Sequence, residues 1–149
     1  MKPIRSLIAD HPFLRDLNPS HLDLLSKYAM ERTFEEGDLI FKQGDMANRF
    51  YLIQSGHVRL SSNTEAGVTS EIETIGTGDV LGWSWLFEPR LWHFDAHALE
   101  KTETVFLYAT PLLAEFEADP AFGYEMMSRM AAVAIRRLQM TREKLLVPV

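Results

Sequence analysis

Apolar and polar positions change rhythm twice along the chain. Behind Asn18-Pro19, an N-cap followed by proline at the first helical position, Leu22, Leu25 and Tyr28 recur at helical spacing. With the preceding residues, broken at Pro12, this predicts a pair of short helices over residues 4–30. From residue 33 to 110 the rhythm becomes one of short β-branched and aromatic runs cut by glycine turns. The runs 39–41, 50–54, 57–60, 72–75, 94–98 and 105–108 read as strands. Glu36-Gly37-Asp38, Gln43-Gly44-Asp45 and Thr77-Gly78-Asp79 mark corners, where glycine supplies a positive φ and aspartate caps its own turn. The fold class expected is mainly β with flanking helices, a sandwich, jelly roll or closed barrel. From 119 the helical rhythm returns. Asp119-Pro120 is a start signal, and Met127, Ala131, Ala134, Leu138, Thr141 and Leu145 step alternately by four and three. Such a heptad seam predicts a helix that pairs with a second copy, and the small Ala131 and Ala134 allow close approach. Packing on its own barrel is the alternative, and Pro148 ends the helix.

A chain of 149 residues fits one compact domain with an appended element. It has no cysteine, which excludes disulfides, thiolate metal sites and cysteine nucleophiles. No apolar run reaches the roughly 18 residues of a membrane helix. Residues 1–12 lack the pattern of a signal peptide. The expected location is cytoplasmic, away from membranes. Fifteen basic against 21 acidic side chains give a net charge of −6, unfavourable for binding a phosphate backbone. The charge is uneven: Arg129, Arg136, Arg137, Arg142 and Lys144 against Glu143 make residues 129–144 net +4. Cations there suit a helix C-terminus, or they meet an anionic partner; a solvated face is the plainer reading.

Residues 76–98 carry the most chemistry: a glycine turn, a short strand, Gly82, one helical turn, a break at Pro89, and another strand. A glycine opening a short helix leaves aligned backbone N–H groups, which suit an anion. Trp83, Trp85 and Trp92 are the chain's three tryptophans. They make either a packed barrel mouth or an aromatic pocket for a flat ligand. His93, Asp95 and His97 alternate along one strand and share a face. That is metal-ligand spacing, but a further ligand is lacking nearby, so a polar strand face is preferred and no metal site is assigned. Glu71 and Glu73 look like an exposed strand face. With no nucleophile elbow and no Walker-type loop, nothing requires catalysis, and no catalytic residue is assigned.

Several separated motifs resemble the cyclic-nucleotide-binding domain family, the effector domain of catabolite-activator-type regulators. They are Glu36-Gly37-Asp38-Leu39-Ile40-Phe41-Lys42-Gln43-Gly44-Asp45, then Phe50-Tyr51-Leu52-Ile53-Gln54-Ser55-Gly56-His57-Val58-Arg59-Leu60, and Gly78-Asp79-Val80-Leu81-Gly82 leading into a phosphate-binding cassette. Arg136-Arg137-Leu138-Gln139-Met140-Thr141-Arg142-Glu143-Lys144 resembles the family's dimer helix. The resemblance implies a double-stranded β-helix or jelly-roll β-roll over 33–115, N-terminal helices over 1–32 and a C-terminal dimer helix over 116–149. It implies a non-enzymatic ligand-sensing regulatory domain with no required cofactor and cAMP or cGMP as effector. It turns Phe94, Ala96 and Ala98 inward and His93, Asp95 and His97 outward.

Two positions depart from the family's pattern. Trp83 stands where the family has the glutamate that holds the ribose, and Trp92 where it has the phosphate-binding arginine. The effector is therefore cAMP, cGMP or a different small ligand. The expected ligand-binding residues are Gly82, Trp83, Ser84, Arg90, Trp92 and His93, with Thr141 and Arg142 from the long helix. A ligand-free dimerisation or protein-interaction module is the alternative, and a metal-dependent barrel enzyme a more distant one. With only a few residues after Leu145, direct DNA binding is not expected. The expected partners are a small-molecule effector and a second copy of the chain.

Overall fold

The computed structural model describes residues 2–63, 67 and 69–146. Two compact units follow one another, one through Leu112 and one from Leu113. The first opens with helices α1 (Ile4–Ala9) and α2 (Pro19–Ser26), joined through a 3-10 turn at Pro12–Leu14. Asn18 caps α2 as expected, its side-chain oxygen accepting the Ser20 N–H at 2.9 Å.

Eight strands follow: β1 (Ala29–Phe34), β2 (Leu39–Phe41), β3 (Arg49–Ser55), β4 (His57–Asn63), β5 (Thr69–Gly76), β6 (Val80–Leu81), β7 (Asp95–Ala98) and β8 (Thr102–Tyr108). They form two antiparallel four-stranded sheets, ordered β1-β8-β3-β6 and β2-β7-β4-β5. This is the β-roll expected from the sequence. The corner glycines Gly37, Gly44 and Gly78 take φ of 86°, 91° and 87°. Asp38 and Asp79 each reach back three residues, accepting the N–H of Glu35 and of Gly76 at 2.8 Å.

The roll begins earlier than the chain pattern suggested. β1 starts at Ala29, inside the stretch read as helical, and pairs with β8 from Ala29 opposite Leu107 to Phe34 opposite Thr102. Four of its six residues are exposed, so it shows no apolar alternation, and its partner strand fixes its conformation. The last strand ends at Tyr108, and a helix that the sequence reading missed, α3 (Ala109–Ala118), follows at once.

β3 is buried on both faces, from Phe50 to Ile53. Phe50 stacks on Trp85 with ring centroids 5.0 Å apart, and Phe13 meets it edge-on at 6.3 Å. The neighbouring residue Tyr51 points the other way. There it touches Phe34, Phe41 and Phe106, at centroid distances of 6.0, 6.4 and 5.9 Å.

In the second unit α4 runs Pro120–Leu146. Asp119 caps it, accepting the Phe122 N–H at 3.2 Å. Phe116 of α3 meets Phe122 edge-on at 5.1 Å. A Cβ on Gly123 would stand 3.0 Å from that of Phe116, so glycine permits the approach. Phe122, Met126, Met130, Val133 and Arg137 form a buried stripe. The expected seam lies about 100° around the helix from that stripe. Its outer members are open to solvent, Leu138 at 69% and Leu145 at 81% exposed. No described helix is long and apolar enough to cross a membrane, and Pro148 lies outside the described residues.

Candidate functional site

The cassette folds as its pattern suggested: β6, then Gly82, a 3-10 turn at Ser84–Leu86, and β7 beyond Pro89. Trp92 is buried at 4% exposure, its ring parallel to Phe41 at 3.8 Å and 7°. Its backbone is clamped to the second corner: Gly44 N–H donates to Trp92 C=O at 2.8 Å, and Trp92 N–H to Asp45 C=O at 2.9 Å. Gly82, at φ 97°, lies under the Trp92 ring, where a Cβ would be 2.6 Å from the indole. The position where the resemblance implies an arginine is thus filled by a stacked indole.

The tryptophan cluster divides. Trp85 is core, with its indole N–H donating to Gly82 C=O at 3.2 Å. Trp83 is half-buried. Trp92 lines a cavity of about 270 Å³.

Of the remaining expected residues, Ser84 is buried within the 3-10 turn. Arg90, at φ 56°, turns to Glu88, with nitrogen and carboxylate oxygen 3.9 Å apart. His93, Thr141 and Arg142 are exposed. Within the first unit, Ser84, Arg90 and His93 do not line the cavity.

The outward trio also needs correction. Asp95 is buried, because its two carboxylate oxygens accept the Gln43 N–H at 2.7 Å and the Asn63 side-chain N–H at 2.8 Å. It ties the corner at Gln43 to the end of β4 rather than facing solvent beside His93. No cluster of three or more potential metal ligands occurs among the described residues.

The cavity's other walls were not foreseen. The rings of Phe41 and Tyr51 join Trp92, while Arg32 and Arg49 supply positive charge. Asp45 and Asn48 lie at the exposed margin. The strand register puts both arginines on one face of their sheet. Arg32 is opposite Thr104, Met30 opposite Phe106, and Phe106 opposite Tyr51, two residues from Arg49. The Arg49 guanidinium lies over Phe106 at 4.5 Å and Tyr108 at 5.1 Å; that of Arg32 lies over Phe34 at 4.8 Å. Aromatic faces hold both cations. No carboxylate among the described residues pairs with either. Burial pushes the Tyr51 hydroxyl above its ordinary pKa, and Arg49 and Arg32 oppose that shift. The sequence signal for Arg49 was its place two residues before Tyr51 on an apolar strand. Arg32 carried none, since its strand reads as polar.

Known proteins agree with this architecture. The family model of the cyclic nucleotide-binding domain matches residues 31–119, and the chain belongs to that family. It is 30% identical to the cyclic AMP receptor protein of Thermus thermophilus over 128 residues, 86% of this chain and 57% of that one. The crystal structure of the Thermus thermophilus catabolite activator protein superposes with a TM-score of 0.70 at 30% identity, covering 90% of this chain and 61% of the other. A cyclic nucleotide-binding domain from Methylobacillus flagellatus shares the fold at a TM-score of 0.83 and 16% identity, covering 96% of this chain and 83% of that one. The chain thus spans little more than half the length of the Thermus receptor protein.

Proposed function

We propose that this chain is a non-catalytic regulatory domain that senses a small effector in its β-roll and reports it through α4. Family membership and the likeness to a cyclic AMP receptor protein support the regulatory class. The effector is not a cyclic nucleotide held in the family's usual way. One observation carries this: Trp92, the position where the family resemblance implies the phosphate-binding arginine, is stacked on Phe41 and pressed over Gly82. An indole offers a cyclic phosphate no charge, and a charge-assisted pair is lost. Of the residues the sequence pointed to, Gly82 and Trp92 act here as a closed wall, and Arg90 and His93 lie outside the lining of the cavity. The seam of Met127, Ala131, Ala134, Leu138, Thr141 and Leu145, exposed except at the half-buried Met127 and Ala134, is the surface by which two copies pair. An effector then acts by favouring one of two arrangements of the helix pair.

Thermal unfolding with millimolar cAMP or cGMP tests the effector reading. A ligand at a hundred times its Kd adds about 2.7 kcal/mol, several degrees for a chain of this size. The expected result is no shift with either nucleotide. A clear shift would mean that cyclic nucleotides bind without the usual anchors, and would overturn the reading.

A further inference from the structure

His11 sits between the N-terminal helices and the corner that opens the cassette, and both of its ring nitrogens are used. Nδ1 accepts the Phe13 N–H at 3.1 Å and so caps the 3-10 turn at Pro12–Leu14. Nε2–H donates to the Ile53 C=O of β3 at 3.2 Å. That carbonyl also accepts the Gly78 N–H at 3.0 Å, and the Ile53 N–H donates to the Asp79 C=O at 3.0 Å. Pro12 closes on the same corner, its Cγ 3.4 Å from where a Cβ on Gly78 would stand. The corner runs on through β6 to Gly82, which puts the clasp at the entrance to the cassette. The ring is 2% exposed. Serine, threonine, asparagine and aspartate are the common caps, and none of them gains a proton near neutral pH.

We propose that His11 is a proton-sensitive latch: neutral, it holds the Pro12–Leu14 turn against the corner at Gly76–Asp79, and protonated, it lets the turn lift away. A neutral imidazole accepts at one nitrogen and donates at the other, whereas an imidazolium donates at both. The added proton on Nδ1 would face the Phe13 N–H, donor against donor, and a cation would stand in a site closed to water. Asp79 is the charged group that bears on the ring from the roll, but its carboxylate already accepts the Gly76 N–H at 2.8 Å. From β3 the neighbours of Ile53 are Leu52 and Gln54, both neutral. On the N-terminal side the charged groups are Asp10, held by Lys2 at 3.1 Å, Asp23, held by Arg5, and Arg15 and Asp16 beyond the turn. Burial outweighs the pull of Asp79 and the backbone carbonyl, so the docked ring takes a proton less readily than a free histidine. Opening therefore becomes easier as pH falls below about 6.5, by up to tenfold per unit. The buried side chains of Ile8, Leu22 and Leu25 keep α1 and α2 in place, so the opening is local to the turn. The latch is independent of what the roll binds.

Amide hydrogen exchange of the full chain between about pH 7.5 and 5 reads the latch, with rates corrected for the intrinsic effect of pH on exchange. The expected result is that the N–H groups of Phe13 and Leu14 open more often than those of Leu52 and Leu107 on the two central strands of their sheet. Their opening constant should rise by up to tenfold per unit below about pH 6.5. H11Q keeps one acceptor and one donor and cannot titrate, so in that variant Phe13 and Leu14 should open equally at every pH. Imidazole nitrogen NMR on the parent gives the same answer without a variant. The ring should be neutral with its proton on Nε2 at the upper end of the range, and its titration should coincide with the rise in Phe13 exchange. Equal opening of Phe13 and Leu52 at every pH would mean that the turn leaves only when the whole roll unfolds, and overturns the latch. So does a pH-independent opening in the parent, the same pH dependence in H11Q, or a protonated ring that leaves the Phe13 amide protected.

Discussion

The indole of Trp92 and the ring of Phe41 lie face to face, 3.8 Å between centroids and 7° from parallel. The two residues come from opposite ends of one backbone clamp, since the corner after Phe41 hydrogen-bonds both the N–H and the C=O of Trp92. The stack fills the position where the family resemblance implies a cation for a cyclic phosphate. Rebuilding the family's anchors should reverse this. The double variant Trp83→Glu, Trp92→Arg is expected to gain a cAMP-dependent rise in melting temperature that the parent lacks. Calorimetric titration of both proteins checks it; a double variant that folds and still ignores cAMP would show that the two tryptophans are not what excludes the nucleotide. Trp92→Ala alone should cost about 3–5 kcal/mol, as for other large buried aromatics.

Gly82 is the other half of that closure. Alanine there meets the indole at 2.6 Å and must hold φ at 97°. Overpacking costs about 1–3 kcal/mol, and the left-handed conformation about 1–2 kcal/mol more. Gly44 shares the positive φ, at 91°, but has open space around it. Gly82→Ala should therefore lower the melting temperature clearly more than Gly44→Ala. Equal losses would mean that the indole yields freely, and the wall would not be rigid.

Legibility in the sequence followed burial. Strands with an apolar run bounded by glycine corners, such as β3 and β4, could be read directly, and so could both proline-marked helix starts. β1 could not, because its residues are mostly exposed and its pairing with β8 is non-local. At the site the cassette outline was readable, but its occupants were not. Whether Trp83, Trp85 and Trp92 line a pocket depends on which face each turns to, and the structure sends one to the core and one to the cavity. The arginine pair was hidden for the same reason. Arg32 and Arg49 are distant in sequence, and only the register through β8 puts them on one face.

His11 gives a pH dependence with a definite sign. Its ring is buried, with one nitrogen 3.2 Å from Ile53 C=O and the other accepting the Phe13 N–H at 3.1 Å. This fixes the neutral tautomer with the proton on Nε2. Burial lowers the pKa below the ordinary 6.5, against the opposing pull of the Ile53 carbonyl and Asp79. The unfolded chain then binds more protons than the folded one as pH falls through that range. The contribution is complete above about pH 6.5 and is lost as pH drops towards the folded value. Urea unfolding between pH 7.5 and 5 should show stability falling with acidity, and the His11→Gln difference should shrink over the same interval. A constant difference would rule out the titration.

The heptad seam of α4 makes the last prediction. Leu138 is 69% exposed and Leu145 81%, so neither contributes much to the fold of a single chain. If two helices pair along this seam, Leu138 is a buried knob in the dimer and solvent-facing in the monomer. A glutamate there would set two like charges facing one another across a two-fold axis. Leu138→Glu should therefore shift the sedimentation coefficient from dimer to monomer and leave the melting curve of the monomer near that of the parent. Gln139→Glu adds the same charge one position away, off the seam and also exposed, and should leave the dimer intact. A parent chain that sediments as a monomer at every concentration, or a Leu138→Glu variant that stays dimeric, would show that the seam is not the contact.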